Sequence, residues 1–305
     1  MANRKFLNAL KLAGKIVFTA LLVYLVFQKI DLAVLGRTLA SSEPGWLVLA
    51  LVLYLLSQVI SSWRLHGLLL VMGVPIGFGF NLRLYLLGMF YNVFLPGGIG
   101  GDGYKLYLLK KKFGTPAKTL LTAFLLDRAS GLWAITVLVA TAAFFLPVLD
   151  LPPWMPPTYI VAALAGFYIC WRLMFIKHIR YFPTGIARAL IVQSMQCVAM
   201  ACILHALHLP DGYLPYLFSF LLGTIATVIP VSIGGLGLRE YVMVQLSPLL
   251  LLDEATAVSA SFCFYLISTL AAIPGLWFVY RSKEFAANPS TRERQETIDE
   301  KNGGL

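Results

Sequence analysis

Long apolar stretches separated by short polar segments run along most of this chain. Six of them approach or exceed the roughly 17–25 residues that a helix needs to cross a bilayer. They cover residues 12–27, 45–63, 119–146, 159–176, 185–207 and 255–280. Two further stretches, 84–95 and 213–229, are shorter or end at clusters of proline and glycine. The pattern predicts an all-α polytopic membrane protein with about six full transmembrane helices.

The composition supports a membrane protein and argues against a nucleic-acid-binding one. Of the 305 residues, 59% are hydrophobic and 12% are charged, about half the charged fraction of a soluble domain. The formal net charge of +10 comes from Lys and Arg residues dispersed among short loops between the apolar stretches. Such charges usually set the orientation of the helices in the membrane. The expected partner is therefore the lipid bilayer, and no nucleic acid.

The basic residues also predict which segments face the cytoplasm. They lie before the first stretch, at 110–118, at 172–188 and at 281–283, which places both termini inside by the positive-inside rule. Residues 1–281 are expected to form one transmembrane domain, and the polar residues 282–305 a disordered cytoplasmic tail. The four cysteines lie inside apolar stretches without paired spacing, so no disulfide, metal site or cofactor is expected.

Two polar, glycine-rich segments interrupt the apolar pattern and resemble each other. The first reads LPGGIGGDGYKLYLLKK from Leu95, and the second IPVSIGGLGLREYVMVQL from Ile229. With a shift of 134 positions, six residues of the first are identical to residues of the second, and Lys105 aligns with Arg239. The identical residues are Pro96, Ile99, Gly100, Gly101, Gly103 and Tyr107, which align with Pro230, Ile233, Gly234, Gly235, Gly237 and Tyr241.

The orientation of the two segments predicts an inverted repeat. Three full spans separate them, so one is expected to enter from the cytoplasmic side and the other from the outer side. Inverted repeats with broken helices near the midplane are typical of transporters. Irregular backbone at that depth is tolerated where protein or a wet cavity covers it. We therefore expect two opposed re-entrant hairpins around a shared cavity; the alternative is a pair of simple helix kinks.

The breaks and one polar position in the span 119–146 provide the candidate binding site. A glycine-rich turn that leads into a helix directs free N–H groups and the positive end of the helix dipole at one spot, which suits a phosphate. Ionisable residues at membrane depth are costly unless they are paired or face water. The substrate-binding candidates are Asn92, Pro96, Gly97, Gly98, Gly100, Gly101, Asp102, Lys105, Asp127, Arg128, Gly234, Gly235, Gly237, Arg239 and Glu240.

The charged candidates also permit a purely structural interpretation. Their six charges sum to zero, so they could form an ion-pair network that holds the hairpins together. Adjacent residues of a helix point about 100° apart, so Asp127 and Arg128 are expected to have different partners. Three glutamines in neighbouring spans could line a polar path or bond between helices. They are Gln58, Gln193 and Gln196.

Three segments together resemble a known family. They are NVFLPGGIGGDGYKLYLLKK, LLDRASGL and IPVSIGGLGLRE, in this order, and they look like the flippase-like membrane domain of the lysylphosphatidylglycerol synthase family. The family includes the multiple peptide resistance factor of bacteria, whose membrane half is thought to move aminoacylated phosphatidylglycerol between leaflets. The resemblance implies lipid translocation and a bacterial inner-membrane location. Lys105 stands where the family often has Arg, which retains the charge but not the bidentate fork.

The leading hypothesis is a translocator that carries a phosphate-bearing lipid or glycolipid between leaflets, with no enzymatic activity. After Tyr280 the chain offers only a short tail, so no aminoacyl-transferase domain is expected. One alternative is an enzyme acting on a lipid phosphate or polyprenyl-phosphate carrier, although no Mg²⁺-binding carboxylates stand at helical spacing. Another is a membrane scaffold without transport. Homo-oligomer formation is left open.

Overall fold

The computed structural model describes residues 42–94, 100–175, 180–209, 211–228, 237–281 and 285, and these residues contain α-helices and no strand. The predicted span 12–27 and the tail 286–305 lie outside the described residues. The helices, numbered in chain order, are α1 (Pro44–Val71), α2 (Phe78–Phe94), α3 (Gly100–Phe113), α4 (Ala117–Phe144), α5 (Met155–Phe175), α6 (Phe182–Ala206), α7 (Tyr213–Ala226), α8 (Leu238–Leu250), α9 (Glu254–Ala272) and α10 (Pro274–Tyr280).

Four helical segments of the described chain are long and apolar enough to cross a membrane. They are α1, α4, α6 and the segment Glu254–Tyr280, which joins α9 and α10 at Pro274. The helix α5 is 21 residues long but is not one of the four. The all-α membrane class is confirmed, whereas the expected number of six full spans is not established by these residues.

Local sequence explains several helix ends. Pro44 and Pro274 occupy the first turns of α1 and α10, where a missing N–H costs nothing. Asp253 caps α9, because its carboxylate accepts hydrogen bonds from the hydroxyl and the backbone N–H of Thr256 at 2.6 and 2.8 Å. These two bonds hold the pKa of the Asp253 carboxyl below its ordinary value.

The helices repeat in order along the chain. Helices α1 to α4 and helices α6 to α9 have the same sequence of lengths, long, short, short and long, and each helix of the second set begins at about the same interval after its counterpart. The two glycine-rich segments fall between the two short helices of each set. The short helices pack against each other within each set, α2 on α3 and α7 on α8. Among the described helices, α5 has no counterpart.

The counterparts α1 and α6 pack along each other in opposite directions. At one end the N–H of Glu43, before α1, donates to the carbonyl of Ala206, the last residue of α6, at 3.0 Å. At the other end the Tyr181 hydroxyl, at the start of α6, donates to the carbonyl of Arg64, late in α1, at 2.6 Å. Because equivalent helices of the two sets run antiparallel, the repeat is inverted in this structure, without reference to a membrane.

Each set of short helices has its own apolar core. Leu87, Leu109 and Leu120 belong to a cluster that joins α2 and α3 to α1, α4, α9 and α10. Phe220 and Met243 belong to a second cluster, which joins α7 and α8 to α1, α4, α6 and α9. The two short-helix pairs therefore pack in different apolar clusters, and α1, α4 and α9 contribute residues to both.

The topology generates a labelling prediction. Single cysteines replacing Lys112, Asp150 or Asp211, in a chain without the four native cysteines, should react with an impermeant thiol reagent. Lys112→Cys should label from the side opposite to Asp211→Cys, because the two short-helix pairs approach from opposite faces. Asp150→Cys is the matched control and should react from the same side of the membrane as Asp211→Cys. Labelling of positions 112 and 211 from the same side would contradict the predicted orientation.

Candidate functional site

A polar cavity of about 580 Å³ lies between the two sets of helices. Arg128, on its wall, is 11 residues into α4, which places it about 16 Å from the beginning of a helix that rises 1.5 Å per residue. For a helix that begins at the edge of the hydrocarbon, this distance is about half of a bilayer core of roughly 30 Å. The polar residues that line the cavity are Tyr54, Gln58, Ser61, Arg64, Tyr85, Asn92, Asp102, Lys105, Asp127, Arg128, Gln193, Gln196, Thr224 and Thr227.

The cavity brings together five of the predicted candidates. Asn92, Asp102, Lys105, Asp127 and Arg128 all line it. Gln58, Gln193 and Gln196, which the sequence offered as a polar path, line it as well. The structure therefore groups the first glycine-rich segment, the polar position of α4 and the glutamines of α1 and α6 around one space.

Arg64 also lines the cavity, although the sequence analysis did not select it. Its Nε lies 2.7 Å from Oδ1 of Asp127, and both side chains are largely buried. The predicted span 45–63 ends one residue before Arg64. In the structure α1 continues to Val71, which places Arg64 seven residues inside. The signal that could have identified it is the same as for Asp127: a charge within an apolar helix.

Asp102 joins two cations at the beginning of α3. Its Oδ1 lies 2.7 Å from Nζ of Lys105, one turn later, and its Oδ2 lies 2.6 Å from Nε of Arg128 on α4. A carboxylate in the first turn of a helix also interacts favourably with the helix dipole. Asp127 and Arg128 thus have different partners, Arg64 and Asp102, which confirms the prediction drawn from their adjacency in one helix.

The cavity carries more positive than negative charge. Arg64, Lys105 and Arg128 contribute three cations, whereas Asp102 and Asp127 are the two carboxylates among its described lining residues. One of the Arg64 terminal nitrogens, Nη1, is buried and has no hydrogen-bond partner within the described part of the chain. A polar space with an excess cation and a free buried donor is suited to an anion.

Lys105 and Arg239 occupy equivalent cages in the two sets of helices. The Lys105 ammonium lies 5.1 Å from the ring centre of Tyr85 on α2 and 5.0 Å from that of Phe124 on α4. The Arg239 guanidinium lies 5.2 Å from the ring centre of Phe220 on α7 and 5.0 Å from that of another aromatic residue, on α9. In both cages the aromatic residues come from the helix before the break and the long helix after it.

A glycine on the helix before each break makes room for the stem of the cation. A Cβ added to Gly88 would lie 2.8 Å from Cδ of Lys105, and one added to Gly223 would lie 2.7 Å from Cγ of Arg239. Each glycine is three residues after the aromatic residue that the same helix contributes to the cage. These equivalent positions extend the repeat beyond the two glycine-rich segments that the sequence comparison detected.

The second segment differs from the first in how its charges are used. Arg239 does not line the cavity, and its Nε is buried without a hydrogen-bond partner among the described residues. Glu240 instead caps α8, because its carboxylate accepts from the Gly237 N–H at 2.7 Å and from the Ser261 hydroxyl at 2.6 Å. The predicted six-residue neutral cluster is therefore split, with Arg239 and Glu240 outside the cavity.

The tips of both breaks fall outside the described residues. Among the predicted candidates this applies to Pro96, Gly97, Gly98, Gly234 and Gly235. Gly100 begins α3, and Gly237 precedes α8 with a positive φ of 89°, a conformation that favours glycine. Across the described ranges, no group of three or more His, Cys, Asp or Glu side chains is arranged to hold a metal ion.

Comparison with known families identifies the chain as a membrane module related to lipid biochemistry. The model of the lysylphosphatidylglycerol synthase transmembrane region matches residues 12–189 and 172–275. Comparison with curated proteins finds no match. The matched residues include the described helices from α1 through α9 and both glycine-rich segments, so the family assignment covers the cavity and the two cation cages.

The close approach of α2 and α3 generates a stability prediction. A Cβ at Gly101 would lie 2.0 Å from the carbonyl oxygen of Gly88, whereas one at Gly103 would meet nothing within 4 Å. Gly101→Ala should therefore separate the two helices and lower the melting temperature in detergent. The Asn92 side chain, which accepts from the Gly101 N–H at 2.9 Å, would lose this bond.

Gly103→Ala, two residues later on the same helix, is the matched control. It should leave the melting temperature unchanged or raise it, since alanine is favoured over glycine in a helix by about 1 kcal/mol. Equal melting temperatures for the two variants would show that α2 and α3 do not depend on their backbone contact at position 101.

Proposed function

We propose that this chain, which belongs to the lysylphosphatidylglycerol synthase transmembrane-region family, moves a phosphate-bearing lipid or glycolipid between the two leaflets without changing it chemically. The observation that carries the proposal is the polar cavity between the two sets of helices, whose described lining includes three cations and two carboxylates. The family resemblance suggests a bacterial inner membrane, and the basic segments suggest that both termini are in the cytoplasm.

The cavity addresses the main physical barrier to lipid translocation. A phosphate headgroup cannot cross hydrocarbon cheaply, because it would lose its hydration and find no partner. Amide and hydroxyl groups of Gln58, Gln193, Gln196 and Thr227 line the cavity beside the charged residues. These groups can replace water around the headgroup, and the excess cation compensates its charge. The fatty chains need no polar partners, since they remain in an apolar environment.

The ion pairs already present keep the cavity stable when no headgroup occupies it. Asp102 neutralises Lys105 and shares its second oxygen with Arg128, while Asp127 holds Arg64. An anion that enters between these pairs can bind the cations in competition with the carboxylates. Each cation therefore has a negatively charged partner both before and after the anion binds. Such a site binds an anion more weakly than a cluster of unpaired cations would, which favours release on the other side.

The inverted repeat supports a mechanism of two alternating states. In transporters built from inverted repeats, one state follows from the other when the two repeats exchange conformations. Lys105 lines the cavity here and Arg239 does not, although their cages are equivalent. In the proposed opposite state Arg239 would line the cavity and Lys105 would be shielded. Each short-helix pair is then a re-entrant hairpin that approaches the cavity from its own side of the membrane.

Leaflet movement in liposomes tests this function. The purified protein would be reconstituted into vesicles with fluorescent phosphatidylglycerol, and a membrane-impermeant quencher would report the lipid in the outer leaflet over time. We expect the quenchable fraction to rise above that of protein-free vesicles, with the lipid unchanged by mass spectrometry. Chemically altered lipid would instead indicate an enzyme, and neither movement nor alteration would contradict both.

The two equivalent cations are expected to respond differently to neutralisation. Arg239→Gln should lower the transport rate with little loss of thermal stability, because no described carboxylate forms an ion pair with Arg239. Lys105→Gln should lower stability as well, since it removes one of the two partners of a buried carboxylate. Breaking a buried ion pair typically costs about 3–5 kcal/mol. The loss should be smaller here, because Asp102 keeps its second partner, Arg128.

Neutralising the partner acid separates the two roles further. Asp102→Asn combined with Lys105→Gln should recover part of the melting temperature lost by Lys105→Gln alone. Melting curves and transport rates of Arg239→Gln, of Lys105→Gln and of the double variant provide the comparison. A large loss of stability in Arg239→Gln, rescued by Glu240→Gln, would show that Arg239 is a structural partner of Glu240 and not a contact for the lipid.

A further inference from the structure

Two apolar grooves accompany the polar cavity along α4. The proximal groove, of about 220 Å³, lies toward the beginning of α4 and is lined by Thr122, Leu125, Leu126, Ala129, Phe167, Cys170 and Trp171. The distal groove, of about 330 Å³, lies toward its end and is lined by Thr136, Val139, Ala140, Ala143, Leu151, Met155, Pro156, Tyr159, Leu222 and Ile225. Neither groove contains a charged residue, in contrast to the cavity between them.

Both grooves adjoin the polar cavity. Leu125 and Ala129 line the proximal groove and the cavity at once. On the other side Ile135 lines the cavity and the next residue, Thr136, lines the distal groove. The Thr136 hydroxyl donates to the carbonyl of Trp133 at 2.8 Å, so this hydroxyl needs no hydrogen-bond acceptor on a ligand. A molecule in the cavity can therefore extend an apolar part directly into the proximal groove, and the distal groove begins one residue beyond the cavity wall on α4.

The grooves lie at different depths of the membrane. Leu125 and Ala140 are 15 residues apart on α4, which corresponds to about 22 Å along the helix axis. The hydrocarbon core is roughly 30 Å thick, so one groove falls in each leaflet when α4 spans the bilayer. The polar cavity falls between them, near the midplane.

Helix α5, which has no counterpart within the described part of the chain, forms a wall of both grooves. Phe167, Cys170 and Trp171 of α5 face the proximal groove, and Met155 and Tyr159 of the same helix face the distal groove. The repeat itself accounts for the cavity and the two cation cages. Helix α5 adds to this symmetrical core a continuous apolar side that runs past the cavity from one leaflet to the other.

We propose that the proximal and distal grooves hold the acyl chains of the translocated lipid while its headgroup occupies the cavity. This inference rests on the proposed function and specifies its substrate as a long-chain amphiphile with an anionic headgroup. The chains leave one groove and enter the other as the headgroup passes Arg128, and α5 guides them. A free phosphate compound without acyl chains would bind in the cavity and make no contact with the grooves.

Photo-crosslinking locates the chains directly. Phosphatidylglycerol with a diazirine in the middle of one acyl chain would be added to the reconstituted protein, illuminated, and the modified residues identified by mass spectrometry. The outward-facing Val161 and Leu164 of α5 are exposed to bulk lipid and should be modified, and we expect peptides that contain Leu126 or Ala140 to be modified as well. Modification of Val161 and Leu164 without modification of Leu126 and Ala140 would overturn the inference.

A groove-filling variant tests whether the path is needed. Ala140→Trp would occupy much of the distal groove, and we expect it to lower phosphatidylglycerol movement about tenfold, equivalent to a rise of roughly 1.4 kcal/mol in the barrier. Val161→Trp, on the exposed side of α5, is the matched control and should transport normally. The melting temperature of each variant verifies that it is folded, and a destabilised Ala140→Trp leaves the crosslinking result as the deciding observation.

The outcomes separate this inference from the function on which it rests. If the wild-type chain moves phosphatidylglycerol, Arg239→Gln slows it and a folded Ala140→Trp does not, the acyl-chain path is wrong and the proposed function stands. If the wild-type chain moves no lipid, the proposed function fails. Crosslinks at Leu126 and Ala140, together with slow transport by Ala140→Trp, support both.

Discussion

The cost of placing charge inside a bilayer determines the arrangement of this protein. A lone ionised side chain at that depth costs several kcal/mol, so it requires a partner or access to water. Here Asp127 of α4 holds Arg64 of α1, and Asp102 of α3 holds Lys105 and reaches Arg128. These contacts connect α1 to the consecutive helices α3 and α4. The same pairs line a polar space, because their remaining donors and acceptors cannot face hydrocarbon.

The inverted repeat supplies this space from two sides. The two short-helix pairs, α2–α3 and α7–α8, are of similar design, and each carries a cation caged by aromatic rings. The pairs are alike in backbone and unlike in their charges: Lys105 has a carboxylate partner, whereas the carboxylate beside Arg239 caps its own helix. This asymmetry is what a structure trapped in one of two exchanging states would display, and it motivates the proposed alternation.

Much of the fold followed from sequence, and the reasons are physical. Apolar length predicted the long helices, and the identical glycines and prolines predicted the repeat, because few residues allow such backbone. The sequence could not show that Arg64 pairs with Asp127, since the contact depends on how far α1 continues. It also could not show that Glu240 caps α8 in place of pairing with Arg239, or that glycines as distant as Gly88 and Gly223 accommodate the cations. These features depend on tertiary packing.

The central claim is that an anionic lipid headgroup enters the cavity between the two halves. Cryo-electron microscopy of the chain in nanodiscs that contain phosphatidylglycerol tests this most directly. The account predicts phosphate density within hydrogen-bonding distance of Arg64 or Arg128, with density for the acyl chains leaving toward the α4–α5 side. A cavity that contains only water, with every resolved phosphate at the level of the two membrane surfaces, would contradict it.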